Sequence, residues 1–354
     1  MNYCYKFPVV RGVQAKKEYY IAMVPLKMLS RLFPNDDEFV LPEHRAQRRI
    51  NEARIPEIKN YILDNLDTYV FSALAASIDG EYNFIPNVDG NTGILEVSMD
   101  ARFLINDGQH RKTAIIAAIE ENSIIEEETI SVVFFEDQGL IRSQQMFTDL
   151  NKHAIKTSNS ISELYDSRDA LAVATRKIVS SVDFFEEFVD KERDILGKYS
   201  SSLFTLNNIY TANKRILSRN KCDERFVNYA IAYWNTVANH MIPWKNMISK
   251  EISKTELREQ YIVAQSVVLQ ALGRIGAFLF NQINIEDLDM YIKKIEKINW
   301  KRNAKCWKLR VIKNNGRMIN NERAIILAAN VIKKEIGIDL SDDEITIEKN
   351  FIDV

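Results

Sequence analysis

The sequence predicts an α/β domain over residues 1–165 followed by a mostly α-helical domain over residues 166–354. In the first part, short runs of β-branched and aromatic residues alternate with helix-like segments, and clusters of Gly, Pro, Asn and Asp separate them. Beyond residue 165 strand signals become scarce and helical periodicity dominates. A length of 354 residues suffices for two domains with sizeable cores.

The predicted elements of the first domain end in the clearest strand of the chain. Residues 130–136 (ISVVFFE) form an unbroken apolar run, which is typical of a central strand buried on both faces. The other expected strands are residues 7–14, 18–24, 71–78 and 95–105, the last of them reaching a sheet edge. The expected helices are 43–54, 56–63 and 112–121, with a polar loop at 80–93. In the second domain helices are expected at 169–182, 202–217, 224–238, 254–280 and 285–298.

Residues 106–111 (NDGQHR) mark the junction between a predicted strand and a predicted helix. Asn-Asp-Gly is a strong turn signal, and an isolated copy is most often a simple hairpin turn. Here a helical segment follows Gly108, so the turn would aim backbone N–H groups and the positive end of a helix at a ligand. The adjacent His110 and Arg111 favour an anion, with phosphate the obvious candidate.

The chemistry of this turn has two interpretations that the residues leave open. His110 with Asp107 has the composition of an acid/base group and its orienting partner in phosphate-ester chemistry. His110 beside Arg111 equally has the composition of a phosphate-binding pair. The sequence contains no Walker loop, HExxH or Gly-x-Ser-x-Gly, so binding is favoured and catalysis stays open.

The pentapeptide DGQHR at residues 107–111 resembles the signature of the DGQHR-domain family. The flanking sequence is similar to DndB-type proteins of DNA phosphorothioation (sulfur-modification) gene clusters, through AQRRIN at 46–51, RIPEI at 54–58, YVFSAL at 69–74 and FTDLNK at 147–152. The order of these stretches also resembles ParB-like and sulfiredoxin-like domains, in which a Gly-x-x-Arg turn opens a helix against a nucleotide phosphate or DNA. The resemblance therefore implies a ParB/sulfiredoxin-like fold for the N-terminal domain.

The same resemblance implies which residues surround the turn. The expected binding motif comprises Asp107, Gly108, Gln109, His110, Arg111, Arg48, Arg49, Asn151 and Lys152. For Arg48 the alternative is an i,i+4 pair with Glu52 on a solvent-facing helix. For Asn151 and Lys152 the alternative interpretation is that they belong to a polar loop, which caps a helix beginning near Ser160. No metal is indicated, and the one candidate cofactor is a nucleotide bound at the DGQHR turn.

Residues 300–323 carry a concentrated positive charge. Eight basic residues stand there against one acid, Glu322, in a chain whose net charge is −2. The predicted DNA-backbone contacts within it are Lys301, Arg302, Lys305, Lys308, Arg310, Lys313 and Arg317. Such contacts set affinity and register without revealing base recognition. The alternative is a solvent-facing helix with Trp300 and Trp307 packed into the core.

Amino-acid composition limits the function classes and the cellular compartment that are expected for the protein. A net charge of −2 argues against a protein that coats nucleic acid indiscriminately. Cys4, Cys222 and Cys306 form no CxxC pair, so disulfide frameworks and metal knuckles are not indicated and a reducing cytoplasm is expected. Two glutamines and an arginine interrupt the apolar window 262–280, which predicts a buried helix rather than a membrane span.

Three functional hypotheses from different classes follow. The favoured one, which the resemblance implies, is a DNA-binding regulatory protein of a phosphorothioation gene cluster: a transcriptional repressor that binds double-stranded DNA at the promoter of the modification genes. Other proteins of the same system are further candidate partners, and an oligomer is compatible with the sequence. The second is an enzyme that uses the DGQHR turn to hydrolyse a nucleoside triphosphate or to nick DNA. The third is an interaction subunit whose acidic C-terminal tail docks on a basic partner.

Overall fold

The structure, a computed structural model, describes residues 3–34, 51–136, 139, 145–146, 148–150 and 157–352. Two compact units divide the chain, Met1–Ile155 and Lys156–Val354. The first contains a seven-stranded sheet and the second is built mainly of helices. The predicted fold class, α/β with a mostly helical C-terminal part, is therefore confirmed.

Seven strands form the mixed sheet of the N-terminal unit. They are β1 (Cys4–Gln14), β2 (Lys17–Pro25), β3 (Leu74–Asp79), β4 (Tyr82–Pro86), β5 (Thr92–Ser98), β6 (Arg102–Asp107) and β7 (Thr129–Glu136). Their order in the sheet is β4-β5-β1-β2-β7-β3-β6, and every neighbouring pair is antiparallel except β3 and β7. A tight turn joins β1 to β2, and its residues Ala15 and Lys16 have positive φ values of 49° and 64°, as a hairpin turn of this length requires.

Three helices and one face of this sheet together form the hydrophobic core of the N-terminal unit. They are α1 (Leu29–Leu32), α2 (Ile55–Leu63) and α3 (Gln109–Glu121), with 3₁₀ turns at Leu26–Met28, Glu52–Arg54 and Ser123–Ile125. Alternate residues of the strands fill the core, among them Phe7, Ala22, Ala76, Phe103, Ile105, Val132 and Phe134. Side chains with the opposite parity on β1 and β2, such as Val10 and Met23, stay exposed because they point to the other face.

Three sequence-based expectations for this unit are wrong in detail. Strand β7 alternates buried and half-exposed residues, so one of its faces lies outside the core instead of both being buried. The expected polar loop at 80–93 contains β4, whose Tyr82 and Phe84 pack against the core edge. The expected strand at 95–105 is two strands, because the chain turns between Ser98 and Arg102. The second of them, β6, is the predicted edge strand.

The described part of the C-terminal unit has eleven α-helices, 3₁₀ turns at Ile285–Asp287, Lys293–Lys297 and Lys305–Trp307, and a two-stranded parallel ladder. The helices are α4 (Asn159–Tyr165), α5 (Ala170–Ser181), α6 (Asp183–Phe188), α7 (Leu206–Leu217), α8 (Glu224–His240), α9 (Ile242–Ile248), α10 (Lys254–Gln260), α11 (Ser266–Phe280), α12 (Leu288–Ile292), α13 (Glu322–Ile336) and α14 (Asp342–Ile352). The ladder pairs β8 (Val189–Asp190) with β9 (Phe204–Thr205). Helix α11 is the centre of this unit and packs against α7 and α13.

Gly273 allows α11 and α7 to approach closely. A Cβ atom at this position would lie 2.5 Å from the backbone oxygen of Ala212 in α7. Glycine normally weakens a helix interior, but here its missing side chain lets two backbones come into contact. The same helix is buried along most of its length, as the sequence predicted for residues 262–280.

The predicted continuous helix at 254–280 is interrupted between α10 and α11. In the gap, the Ile262 N–H donates to the Trp300 carbonyl (3.1 Å), and the Arg302 N–H donates to the Gln260 carbonyl (2.7 Å). These long-range hydrogen bonds replace intrahelical ones, which a periodicity argument cannot foresee. Within the described parts of the chain, no helix is long and apolar enough to cross a membrane.

Candidate functional site

The DGQHR stretch forms the strand–turn–helix junction that the sequence predicted. Strand β6 ends at Asp107, Gly108 adopts φ +99° and ψ 17°, and α3 begins at Gln109. A Cβ at Gly108 would lie 2.4 Å from the Leu74 side chain, and the left-handed backbone is unfavourable for residues with a side chain. This position therefore requires glycine on two independent grounds.

The Arg111 guanidinium fastens the turn to the chain segment that enters β3. Its Nη2 donates to Asp107 Oδ2 at 2.6 Å, while Nη1 donates to the Ser72 and Ala73 carbonyls at 2.6 and 3.0 Å and contacts the Ser72 hydroxyl. The side chain is 18% exposed. These internal acceptors give both Nη atoms a partner within the chain. Arg111 therefore acts as a structural clamp in this structure, and its role as an anion ligand stays a prediction.

His110 and two buried neighbours hold the start of α3 against other segments. His110 Nε2 accepts the Asn51 N–H at 2.9 Å, so this nitrogen carries no proton in the observed arrangement. Gln109 is 9% exposed and Lys112 is 5% exposed. The Lys112 ammonium donates to the Phe33 carbonyl at 3.2 Å, and burial lowers its pKa from the usual value. Lys112 was missed in the sequence, where it looks like an ordinary helix-surface lysine.

Asn106, directly before the motif, is fully buried on the side of β6 that faces away from the main core. Its Nδ2 donates to the Ser77 hydroxyl at 2.7 Å and contacts the Met146 sulfur at 3.2 Å. Its Oδ1 has no hydrogen-bond partner within the described parts of the chain. The remaining motif candidates, Arg48, Arg49, Asn151 and Lys152, lie outside the described residues.

The two tryptophans of the basic stretch are core residues, as one interpretation of the sequence held. Trp300 and Trp307 are buried and stack with ring centroids 5.4 Å apart at 16°. Their indole N–H groups donate to the Ile295 and Asn299 carbonyls. Both rings thereby anchor the segment that carries the positive charge, which consists of turns and a short 3₁₀ helix (Lys305–Trp307) instead of the solvent-facing helix considered above.

Five of the seven cations predicted for this segment project into solvent. They are Lys301, Lys305, Lys308, Lys313 and Arg317, here called the cationic surface. Among the residues that the structure describes, none of these five side chains forms an ion pair. Their charges are therefore not neutralised within the described chain and are available to a polyanion.

A tight hairpin presents the last two members of the cationic surface. The Lys313 N–H donates to the Arg317 carbonyl at 2.8 Å, and the Gly316 N–H donates to the Lys313 carbonyl at 2.9 Å. Gly316 has φ +77°, which closes the turn. The two cationic residues consequently stand side by side at the base of one exposed loop, whose Asn-Asn-Gly sequence is typical of a tight turn.

Arg310 and Arg302 differ from the other five. The Arg310 guanidinium binds the Glu348 carboxylate through two hydrogen bonds and lies 4.3 Å from the Phe351 ring centroid. Arg302 is half-buried, and its Nε has no hydrogen-bond partner within the described residues. Arg310 is thus occupied by the chain itself, and we do not include either residue in the cationic surface.

Two glutamates of the acidic C-terminal segment are buried and ion-paired: Glu348 binds Arg310, and Glu344 binds Lys333 and Arg274. Glu344 and Glu348 of α14 are 3% and 6% exposed. Burial by itself would raise the pKa of Glu348, but hydrogen bonds from Arg310, Lys334 and Asn330 lower it to about 2. Two acids of the predicted docking tail therefore stabilise the fold of the C-terminal unit.

Comparison with known proteins places the chain in a family. The sequence profile of DndB, described as DNA-sulfur modification-associated, matches residues 7–339. The chain belongs to the DndB family. This DndB-family protein is accordingly associated with a DNA sulfur-modification system. No curated protein and no solved structure matches the chain significantly, so the expected ParB/sulfiredoxin likeness of its N-terminal unit stays a prediction.

Proposed function

We propose that this DndB-family protein binds duplex DNA through the cationic surface and acts as a regulatory protein, a transcriptional repressor at the promoter of the modification genes. The observation that carries the proposal is the set of five exposed side chains without ion pairs among the described residues. Family membership supplies the DNA context. A protein that acts on promoter DNA would work in the cytoplasm, in agreement with its cysteine usage.

The geometry of the surface suits contacts to the phosphate backbone. Lysine ammonium groups are compact point charges on flexible stems, so they reach successive phosphates without strict orientation. Each contact releases condensed counterions, which makes the affinity fall as salt rises. Behind the charges, the stacked Trp300 and Trp307 fix the backbone from which they project. A rigid support limits the side-chain ordering that binding requires.

The test is a salt titration of binding to a promoter fragment. We expect Lys305→Gln, Lys308→Gln and Lys313→Gln together to lower the slope of log affinity against log salt by about 2 to 3, because three phosphate contacts are lost. A matched triple variant, Lys17→Gln, Lys177→Gln and Lys191→Gln, changes the net charge equally at exposed positions elsewhere. That control should keep the slope of the unmodified protein. An equal loss in both variants, or none in the first, would remove the cationic surface from the interface.

Regulation needs a separate measurement. A reporter gene under the promoter of the modification genes should be repressed by the unmodified protein and derepressed by the first triple variant at equal protein abundance. In the binding assay, the promoter fragment should compete better than scrambled DNA with the same length. Salt-dependent binding without this preference would support DNA contact and contradict the repressor role.

A further inference from the structure

One apolar residue, Leu309, interrupts the cationic surface. It directly follows Lys308 in the sequence and is 41% exposed. A single exposed leucine is common on protein surfaces and indicates nothing by itself. The backbone of Leu309 is unusual, however: its φ is +62°, in the left-handed region that residues with a side chain rarely adopt. An exposed apolar side chain and an unfavourable backbone conformation therefore coincide at this position.

Leu309 also differs from the other residues with a left-handed backbone. Within the described parts of the chain, four further non-glycine residues have a positive φ, and none of them carries a large apolar side chain: they are Ala15, Lys16, Ser218 and Lys250. Asn and Asp can compensate a left-handed backbone with a local side-chain hydrogen bond, whereas leucine has no polar group for this purpose. Backbone strain that the surrounding structure maintains at one position is a reason to look for function there.

Backbone hydrogen bonds hold Leu309 in this conformation. Its N–H donates to the Ile312 carbonyl at 2.7 Å, and the Trp307 carbonyl accepts the N–H groups of Arg310 and Ile312, each at 3.2 Å. Trp307 is buried, and the Arg310 side chain is held by its ion pair with Glu348. Both ends of the turn are therefore anchored, and the exposed Leu309 projects from a rigid support.

Exposed cations flank Leu309 along this compact segment. Lys308 precedes it, and Lys313 follows Ile312, whose carbonyl accepts the Leu309 N–H. Lys313 in turn pairs through its backbone with Arg317. The described chain does not neutralise the charges of these three cations with an ion pair. Duplex DNA fits both features, because it is polyanionic at its phosphates and apolar between its stacked base pairs.

We propose that Leu309 inserts as a wedge between two base pairs in the minor groove of the bound duplex and thereby bends the DNA. This inference rests on the proposed DNA contact through the cationic surface. Proteins that bend DNA from the minor groove frequently insert a leucine or another apolar side chain at a base step, beside cationic residues. The major groove takes a long helix or a β-ribbon, whereas Leu309 stands in a turn after a 3₁₀ helix of three residues. Pyrimidine–purine steps are the expected insertion site, because they unstack most easily.

The test measures DNA bending by energy transfer between dyes at the two ends of the promoter fragment. The unmodified full chain should bend the fragment by about 20° or more and so raise the transfer. Leu309→Asn removes the wedge but tolerates the left-handed backbone. This variant should leave the fragment straight and bind it about fivefold or more weakly. Its slope of log affinity against log salt should change by less than about 1, since the phosphate contacts remain.

Two further variants separate insertion from a general loss of apolar surface. Leu309→Met keeps an apolar side chain that can enter a base step, and it should retain most of the bend. Val173→Asn is the control: this valine of α5 is 43% exposed, and its replacement should change neither the bend nor the affinity. Bending that persists in Leu309→Asn, bending that is lost in Leu309→Met, or equal losses in Leu309→Asn and Val173→Asn would each overturn the wedge.

The same measurements distinguish failure of the wedge from failure of DNA binding. Salt-dependent binding of the unmodified protein without any bend overturns the wedge alone, while absence of salt-dependent binding overturns the proposed DNA contact as well. A promoter fragment with uracil in place of every thymine lacks the methyl groups that an apolar side chain contacts in the major groove. We expect equal bending and affinity on both fragments. Weaker binding to the uracil fragment, with no bend in either, would place Leu309 in the major groove and overturn the wedge.

Discussion

The guanidinium of Arg310 and the carboxylate of Glu348 form a bidentate ion pair, with hydrogen bonds of 2.7 and 2.5 Å. Both side chains are largely buried, at 12% and 8% exposed. The pair connects the segment that carries the cationic surface to α14. An arginine that looked available for DNA in the sequence is therefore part of the support of that surface.

We expect removal of either partner to destabilise the C-terminal unit. Arg310→Met or Glu348→Gln should lower the free energy of unfolding by about 3 kcal/mol, because each leaves a buried group without its partner. Urea unfolding followed by tryptophan fluorescence reports on this unit alone, since all four tryptophans lie beyond residue 155. For comparison, Glu259→Gln breaks an ion pair with Lys198 in the same unit; both side chains are exposed, at 57% and 64%, so the loss should be much smaller. Similar losses in both pairs would contradict the structural role of Glu348.

The depressed pKa of Glu348 also predicts an acid-sensitive unit. A carboxyl group whose pKa falls from 4.5 to about 2 on folding stabilises the protein above pH 4.5, and this contribution is lost as the pH falls from 4.5 toward 2. Unfolding curves recorded between these values should show a steeper pH dependence in the unmodified protein than in Glu348→Gln. Identical pH dependence in the two proteins would exclude Glu348 as a source of the acid sensitivity.

Ionisation of Glu163 should instead lower the stability of the folded protein as the pH rises toward neutral. Burial raises its pKa to about 7, with help from the charges of Asp194 and Asp169. Since the folded protein then holds the proton more tightly, stability should decrease as the pH rises from 4.5 to 7. Glu163→Gln should remove this decrease and stabilise the protein at pH 8 by about 1 kcal/mol, a value discounted for its partial exposure. The exposed Glu187→Gln is the control, and an equal gain from it would refute the assignment.

Gly108 should tolerate no side chain. Gly108→Val combines an unfavourable positive φ with the contact to Leu74, and we expect a loss of about 3 kcal/mol or more. Gly90→Ala is a useful match: its φ is also positive, but no atom lies within 4 Å of an added Cβ. It should cost about 1 kcal/mol. The free energy of unfolding of each variant measures both effects, and equal losses in the two variants would show that the clash with Leu74 is relieved.

Arg111→Lys tests whether the guanidinium is a clamp. Lysine keeps the charge but cannot reach Asp107, Ser72 and Ala73 together, so hydrogen exchange at the start of β3 should accelerate by about tenfold or more. Arg54→Lys, at an exposed position, should leave that exchange unchanged. If Arg111 is instead a phosphate ligand, the variant will lose DNA binding while its exchange stays normal.

The sequence predicted local structure better than contacts between residues that are distant along the chain. The turn at Gly108 was foreseeable because a strand, Asn-Asp-Gly and a helix follow one another directly. The role of Arg111 was not, because its acceptors at Ser72 and Ala73 are brought near only by the pairing of β3 with β6. The i,i+4 spacing of Asp107 and Arg111 was the available signal. For Arg310, the partner carboxylate lies in a tail that the sequence marked only as acidic, and neither its helix nor its packing was predicted.

The single parallel pairing in the sheet constrains how the N-terminal unit folds. Strand β7 inserts between β2 and β3, so Tyr19 pairs with Phe135 and Leu74 pairs with Val132. The β1–β2 hairpin leaves the ribosome early, yet its partner strand is made only after α3. Such distant pairings slow folding and leave strand edges open in the meantime. Until residue 136 is synthesised, the nascent chain exposes an unpaired β2 edge on which chaperones or a second nascent chain can act.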